Sequence, residues 1–268
     1  KSAGVAPQMM LQNYMLERLI DRISRSRWRD RIIVKGGMLI GSLIGMDRRT
    51  TKDLDTTVTG VSLSHKTATQ VFGEICQIEV DDDLSFELLH TENIREVDDY
   101  PGLRLFLRVN YAPLAVPITV DVTTGDVITP APILYEYPFV FDEGTAPIMA
   151  YPTETILAEK VEAILSRNVS TTRIRDFYDV YELWRLKANL IDLRTFGLAL
   201  SSTCVHRNSA LAMVERETSI DAMLNDENLY RQWDGYASKH AYASGIDFSE
   251  TIEAVRAAAD AAAPFFSA

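Results

Sequence analysis

Residues 32–59 read IIVKGGMLIGSLIGMDRRTTKDLDTTVT. The β-branched run Ile32-Ile33-Val34 stops at Gly36-Gly37. Met38 to Ile44 is then apolar, with small residues at Gly41 and Ser42, the composition of a helix packed tightly on a sheet. Leu54 to Thr59 is β-branched again and ends at Gly60, which marks a second strand. Residues two apart in a strand point to the same face, so Asp53 and Asp55 project side by side. Adjacent carboxylates repel each other and are costly unless a cation sits between them. Magnesium meets that need, taking carboxylate and phosphate oxygens as ligands. The paired glycines, preceded by Lys35, let backbone amides approach a phosphate with no side chain in the way.

The pattern on either side extends this unit. Residues 8–27 are expected to be helical, because Met10, Leu11, Tyr14, Met15, Leu19 and Ile23 recur at spacings of three and four. His65 to Cys76 predicts another helix. From Ile78 to about Val122 the period changes to two: Leu103, Leu105, Leu107 and Val109 alternate with Arg104, Phe106, Arg108 and Asn110. Ile118, Val120 and Val122 alternate with Thr119, Asp121 and Thr123. These are strands with one buried face, separated by turns at 81–83 and 97–102. Asp121 alternates away from the core-facing residues, where a third carboxylate on a neighbouring strand would complete a two-metal site.

Residues 127–152 hold five prolines and are expected to cross from an α/β half to a helical half. Thr153 to Arg167 predicts a helix with a stripe of Leu157, Val161, Ile164 and Leu165. Arg173 to Lys187 predicts a second, burying Phe177, Val180, Leu183 and Trp184. Asp247 and Glu250 form a capping-box pattern for a last helix running to Pro264. The expected division is 1–150 as an α/β core with its N-terminal helix, and 151–268 as a helical domain completing the active cleft.

Composition bounds the function classes. The chain has 268 residues, 47% hydrophobic and 24% charged, which is ordinary globular composition. No apolar run reaches the roughly 18 residues a membrane span needs. Lys1 to Gln12 lacks a signal layout, and two cysteines form neither a disulfide framework nor a zinc cage, so a reducing, cytoplasmic setting is expected. The net charge of −11 argues against a general nucleic-acid coat. The charge is uneven, however: residues 1–60 carry +5 and the remainder −16. Six arginines fall between Arg18 and Arg31, either as a solvated helix face or as a phosphate-facing patch. GSLIG lacks the Gly-Lys-Ser/Thr ending of a P-loop, and no dinucleotide fingerprint follows a strand. The four histidines are dispersed, and Cys76 and Cys204 read as small buried residues.

Several segments together resemble the AbiEii/AbiGii-type toxin nucleotidyltransferases of the DNA polymerase β-like superfamily. They are Lys35-Gly36-Gly37-Met38-Leu39, Arg49-Thr50-Thr51-Lys52-Asp53-Leu54-Asp55 and Val120-Asp121-Val122-Thr123-Thr124-Gly125-Asp126. Residues 158–167 (AEKVEAILSR) and 173–179 (RIRDFYD) add to them. The likeness runs from about Gln8 to about Trp184. It implies an α+β fold: a nucleotidyltransferase core with a mixed sheet flanked by helices, followed by a helical C-terminal half. It also implies an enzyme that moves an NMP from an NTP onto RNA, the tRNA 3′ end among the acceptors. That enzyme would be the toxin of a toxin–antitoxin or phage-defence pair, with a cognate antitoxin protein as partner. Asp53 and Asp55 would hold Mg2+, and Lys160 and Asp176 match two further active-site positions; Asp121 joins as third metal ligand from its strand alternation.

Lys160 lies one turn from Ile156 and Ile164 at the edge of the apolar stripe. A lysine there either snorkels to solvent or reaches into a site, where it would meet pyrophosphate. Asp176 and Asp179 share a helix face, Asp179 read as a cap or orienting residue and Asp126 as a turn residue. Two other readings fit the same residues: a catalytically silent binding module, and kinase-like phosphoryl transfer to a protein.

Overall fold

The computed structural model describes residues 6–94 and 102–267. The turn expected at 97–102 falls almost wholly outside them. The chain forms two compact units, one made of Lys1–Asp126 with Pro132–Tyr151 and the other of Val127–Ala131 with Pro152–Ala268.

The first unit runs α1 (Pro7–Arg25), β1 (Ile32–Lys35), α2 (Gly36–Ile44), β2 (Asp53–Val58), α3 (His65–Cys76), β3 (Ser85–Ile94), β4 (Gly102–Tyr111), β5 (Leu114–Thr124), β6 (Ile133–Pro138) and β7 (Thr145–Ala150). Among the described residues these seven strands join one mixed sheet in the order β3-β4-β5-β2-β1-β7-β6. The β1–β7 and β2–β5 pairs are parallel and the rest antiparallel. Period-two alternation sorts the faces. Val34, Leu54, Leu105, Ile118, Val120 and Val122 are buried on one face, and α1 packs against β5 and β7. The other face carries Asp53, Asp55, Asp121 and Arg104, all partly exposed.

Three expectations about this unit need correction. The proline-bearing stretch is more than a crossing, because β6 and β7 complete the sheet. Its prolines sit where no ladder donor is lost. Pro138 ends the edge strand β6, and Pro147 lies before the two residues of β7 that pair with β1, Met149 and Ala150. The arginine run is not a free basic patch. Arg18 and Arg22 are 3% and 1% exposed. Arg18 pairs with Glu17 and Asp142, and Arg22 clamps Asp82 at 2.7 Å beneath Phe86. Arg25, Arg27 and Arg29 pair with Asp21, Glu74 and Asp30. Asp126 is also more than a turn residue, since it bonds Lys35, Thr123 and Tyr151.

The second unit is helical: α4 (Thr153–Arg167), α5 (Ile174–Lys187), α6 (Leu193–His206), α7 (Ala210–Val214), α8 (Arg216–Leu224), α9 (Glu227–Ala237) and α10 (Phe248–Ala262). Thr129 and Thr155 bond reciprocally through backbone and hydroxyl, tying residues 127–131 to α4. The core holds Phe177 edge-on to Phe248, with Trp233 stacked on Phe248 at 5.6 Å. Trp184, expected buried, is half-buried near the end of α5. The capping box does not form: Asp247 makes no side-chain cap bond, and the Glu250 carboxylate accepts the Tyr181 hydroxyl instead.

Candidate functional site

The acidic residues meet through the register of β2 and β5. Asp55 pairs across the parallel ladder with Asp121, and Asp53 stands two residues earlier on the same face. Lys35 closes β1 opposite Asp55. The chain then turns through Gly36, whose φ of +65° is a left-handed conformation natural to glycine. A Cβ there would stand 1.9 Å from Asp55 Oδ2, and one on Gly37 would stand 2.7 Å from Thr51. Two bare glycines therefore let the first turn of α2 settle onto Asp55. The Gly37 N–H donates to Asp55 Oδ2 at 3.4 Å.

Crowding shows in the electrostatics. Burial, joined by the charges of Asp53 and Asp121, raises the Asp55 carboxyl to about 6, although Lys35 pulls the other way. Lys35 itself is held by Thr123 Oγ1 at 2.9 Å and by Asp126. Asp126 also accepts the Tyr151 hydroxyl at 2.6 Å. Burial pushes the Asp126 carboxyl up, but Lys35 and these hydrogen bonds outweigh it and hold it below its ordinary value.

Two neighbours escaped the sequence reading, and a third was read only as a turn residue. Asn13 of α1 is fully buried and brackets Thr51, donating Nδ2 to its carbonyl at 2.8 Å and accepting its N–H at 3.3 Å. The Thr51 hydroxyl in turn donates to Asp53 Oδ1 at 2.7 Å. The available signal was a polar residue within the apolar stripe, three positions from both Met10 and Leu16. Arg104 of β4 stands opposite Asp121 and takes both its oxygens, at 2.7 and 2.6 Å. Its signal was an arginine alternating with the core residues of β4. The third neighbour is Asp126, whose side chain is only 15% exposed.

In the helical unit Lys160 and Asp176 do come together. Lys160 Nζ bonds Asp176 Oδ1 at 2.6 Å and pairs with Asp179 Oδ2 at 2.8 Å. Burial opposes its charge, but the two carboxylates prevail and hold its pKa above the ordinary lysine value. Asp179 is fully buried and faces Lys160, as an orienting residue would.

A divalent ion suits this donor set in part. Asp53 and Asp55 offer adjacent hard oxygens under mutual repulsion, whereas Asp121 is already neutralised by Arg104. Among the described residues no three carboxylate, histidine or cysteine side chains are gathered for one ion.

The family model for the nucleotidyl transferase AbiEii toxin of type IV toxin–antitoxin systems matches residues 18–260. The chain belongs to the AbiEii family. Its members are nucleotidyltransferase toxins, and the α+β architecture agrees with that assignment. A proposed nucleotidyltransferase from H. pylori is similar to this AbiEii chain at a TM-score of 0.54 and 12% identity, over 97% of each chain. JHP933 from Helicobacter pylori matches at 0.56 and 13%, over 98% of this chain and 95% of that one. At such identities the likeness is one of fold. No curated protein matches the chain. Among the described residues no helix of this AbiEii protein is long and apolar enough to cross a membrane.

Proposed function

We propose that this toxin transfers an NMP from an NTP to RNA, with the 3′ end of tRNA as acceptor, in a Mg2+-dependent reaction. The observation that carries the reading is the in-register set of Asp53, Asp55 and Asp121 on one sheet face, under the Gly36-Gly37 turn. Asp53 and Asp55 would hold the metal, with Asp121 joining them. A pair of such ions, when bound, stabilises the attacking and leaving oxygens of an in-line displacement at the α-phosphorus.

The remaining work falls to the chain. Gly36 and Gly37 seat the first turn of α2 against Asp55, and the other amides of that turn would meet phosphate oxygens. Lys35, anchored by Asp126 and Tyr151, offsets the acidic charge beside them. Asp121 takes the proton of the attacking hydroxyl. Within the helical unit Lys160, oriented by Asp176 and Asp179, keeps a positive charge suited to a phosphate group. The RNA acceptor, the cognate antitoxin and a role in phage defence follow from the family resemblance, as does a cytoplasmic site of action.

The test incubates the full chain with total tRNA, Mg2+ and NTPs labelled at either the α- or the γ-phosphate, followed by mass spectrometry of RNA ends. α-Label on RNA that disappears in Asp53→Asn supports the reading. γ-Label on protein replaces it with kinase chemistry. No labelled product, with toxicity undiminished in Asp53→Asn cells, leaves a binding module.

A further inference from the structure

Asp121 would complete a three-carboxylate set, yet both its oxygens are occupied. Arg104 donates Nε to Oδ1 and Nη2 to Oδ2 in the two-pronged geometry that suits guanidinium and carboxylate. The register favours this pairing, because Arg104 stands opposite Asp121 across β4–β5 while Asp121 stands opposite Asp55 across β5–β2. A guanidinium and a divalent ion answer the same need, which is positive charge against crowded oxygens. Each oxygen keeps a further lone pair, but two cations on one carboxylate repel each other, so each weakens the hold of the other. Arg104 can leave: its side chain is 42% exposed, against 16% for Asp121, so it can turn into solvent without disturbing the ladder.

We propose that Arg104 is a resident counter-cation, which occupies Asp121 until a divalent ion displaces it. The inference rests on reading Asp53, Asp55 and Asp121 as metal ligands. Arg104 is then a positioning residue: it keeps the acidic face folded without metal, and its departure is part of the cost of loading the site. A shorter ammonium would hold Asp121 less completely, and a neutral amide would not hold its charge at all.

Calorimetric titration of Mn2+ into the full chain, without nucleotide or RNA, tests this. Arg104→Gln is expected to bind Mn2+ about tenfold more tightly than wild type, from the loss of one nearby positive charge. Arg104→Lys should fall between them, and it carries the same reading should Arg104→Gln fail to fold. The gain should vanish in the Arg104→Gln/Asp121→Asn double variant. Equal or weaker binding by Arg104→Gln overturns the inference, as does a gain that survives loss of the Asp121 charge. If wild type and Arg104→Gln bind equally and Asp53→Asn abolishes binding in both, the metal-site reading stands and only the role of Arg104 falls. Mn2+ binding by none of the proteins overturns both.

Discussion

Single atoms decide the acidic face. Gly36 has a left-handed φ and no room for a Cβ beside Asp55. Gly60 has φ +68° with nothing within 4 Å. Gly36→Ala is expected to cost about 1–3 kcal/mol and to lower nucleotide transfer about a hundredfold, by displacing Asp55. Gly60→Ala should cost about 1 kcal/mol, from conformation alone, with transfer unchanged. Urea melts and turnover assays separate the two. Asp126 supplies a pH dependence. Its folded carboxyl lies below the ordinary value, so the unfolded chain binds the extra proton. Its contribution is present above about pH 4 and is lost as pH falls through the folded value. Melts between pH 3 and 7 should show a steeper acid loss for wild type than for Asp126→Asn.

At the scale of elements, helix ends offer a controlled comparison. Asp226 accepts the Leu229 N–H at 2.8 Å at the start of α9, whereas Asp247 makes no such side-chain bond before α10. Asp226→Ala should cost about 1 kcal/mol and Asp247→Ala clearly less, measured by thermal denaturation. The same contrast shows what the sequence made legible. α3 and α4 lie where apolar spacing predicts them, and β4 and β5 show the period-two burial their residues predict, because one buried face imposes a rhythm. The capping box failed because its two residues matched a motif while Glu250 found another partner in Tyr181. β6 and β7 were hidden by proline, which signals a break unless the missing N–H is known to face no neighbour. That Asp53, Asp55 and Asp121 share one sheet face was readable from local spacing and alternation. Asn13, Arg104 and Asp126 act across 17 to 91 residues of chain, and no local pattern encodes a bond of that span.

Across the whole molecule, charge has to be judged by where it is spent. The +5 of residues 1–60 suggests a nucleic-acid surface, but Arg18 and Arg22 are buried in ion pairs. Arg22→Ala should destabilise by about 3–5 kcal/mol, because Asp82 would be left buried without its partner. Replacing Arg27 and Arg29 together by serine should alter stability by at most about 1 kcal/mol and nucleotide transfer by less than about twofold, read by thermal melts and RNA labelling. Sheet order has a consequence for synthesis. β1 sits between β2 and β7, pairing Ile33 with Met149 and Val34 with Ala150. Glu17 of α1, 1% exposed, accepts the Val140 N–H at 2.7 Å. A nascent chain short of residue 140 lacks that donor for Glu17, and one short of residue 150 still has a bare edge on its first strand. Such long-range closure is slow to form. The sheet that carries the acidic face therefore closes only once more than half of the chain has been made.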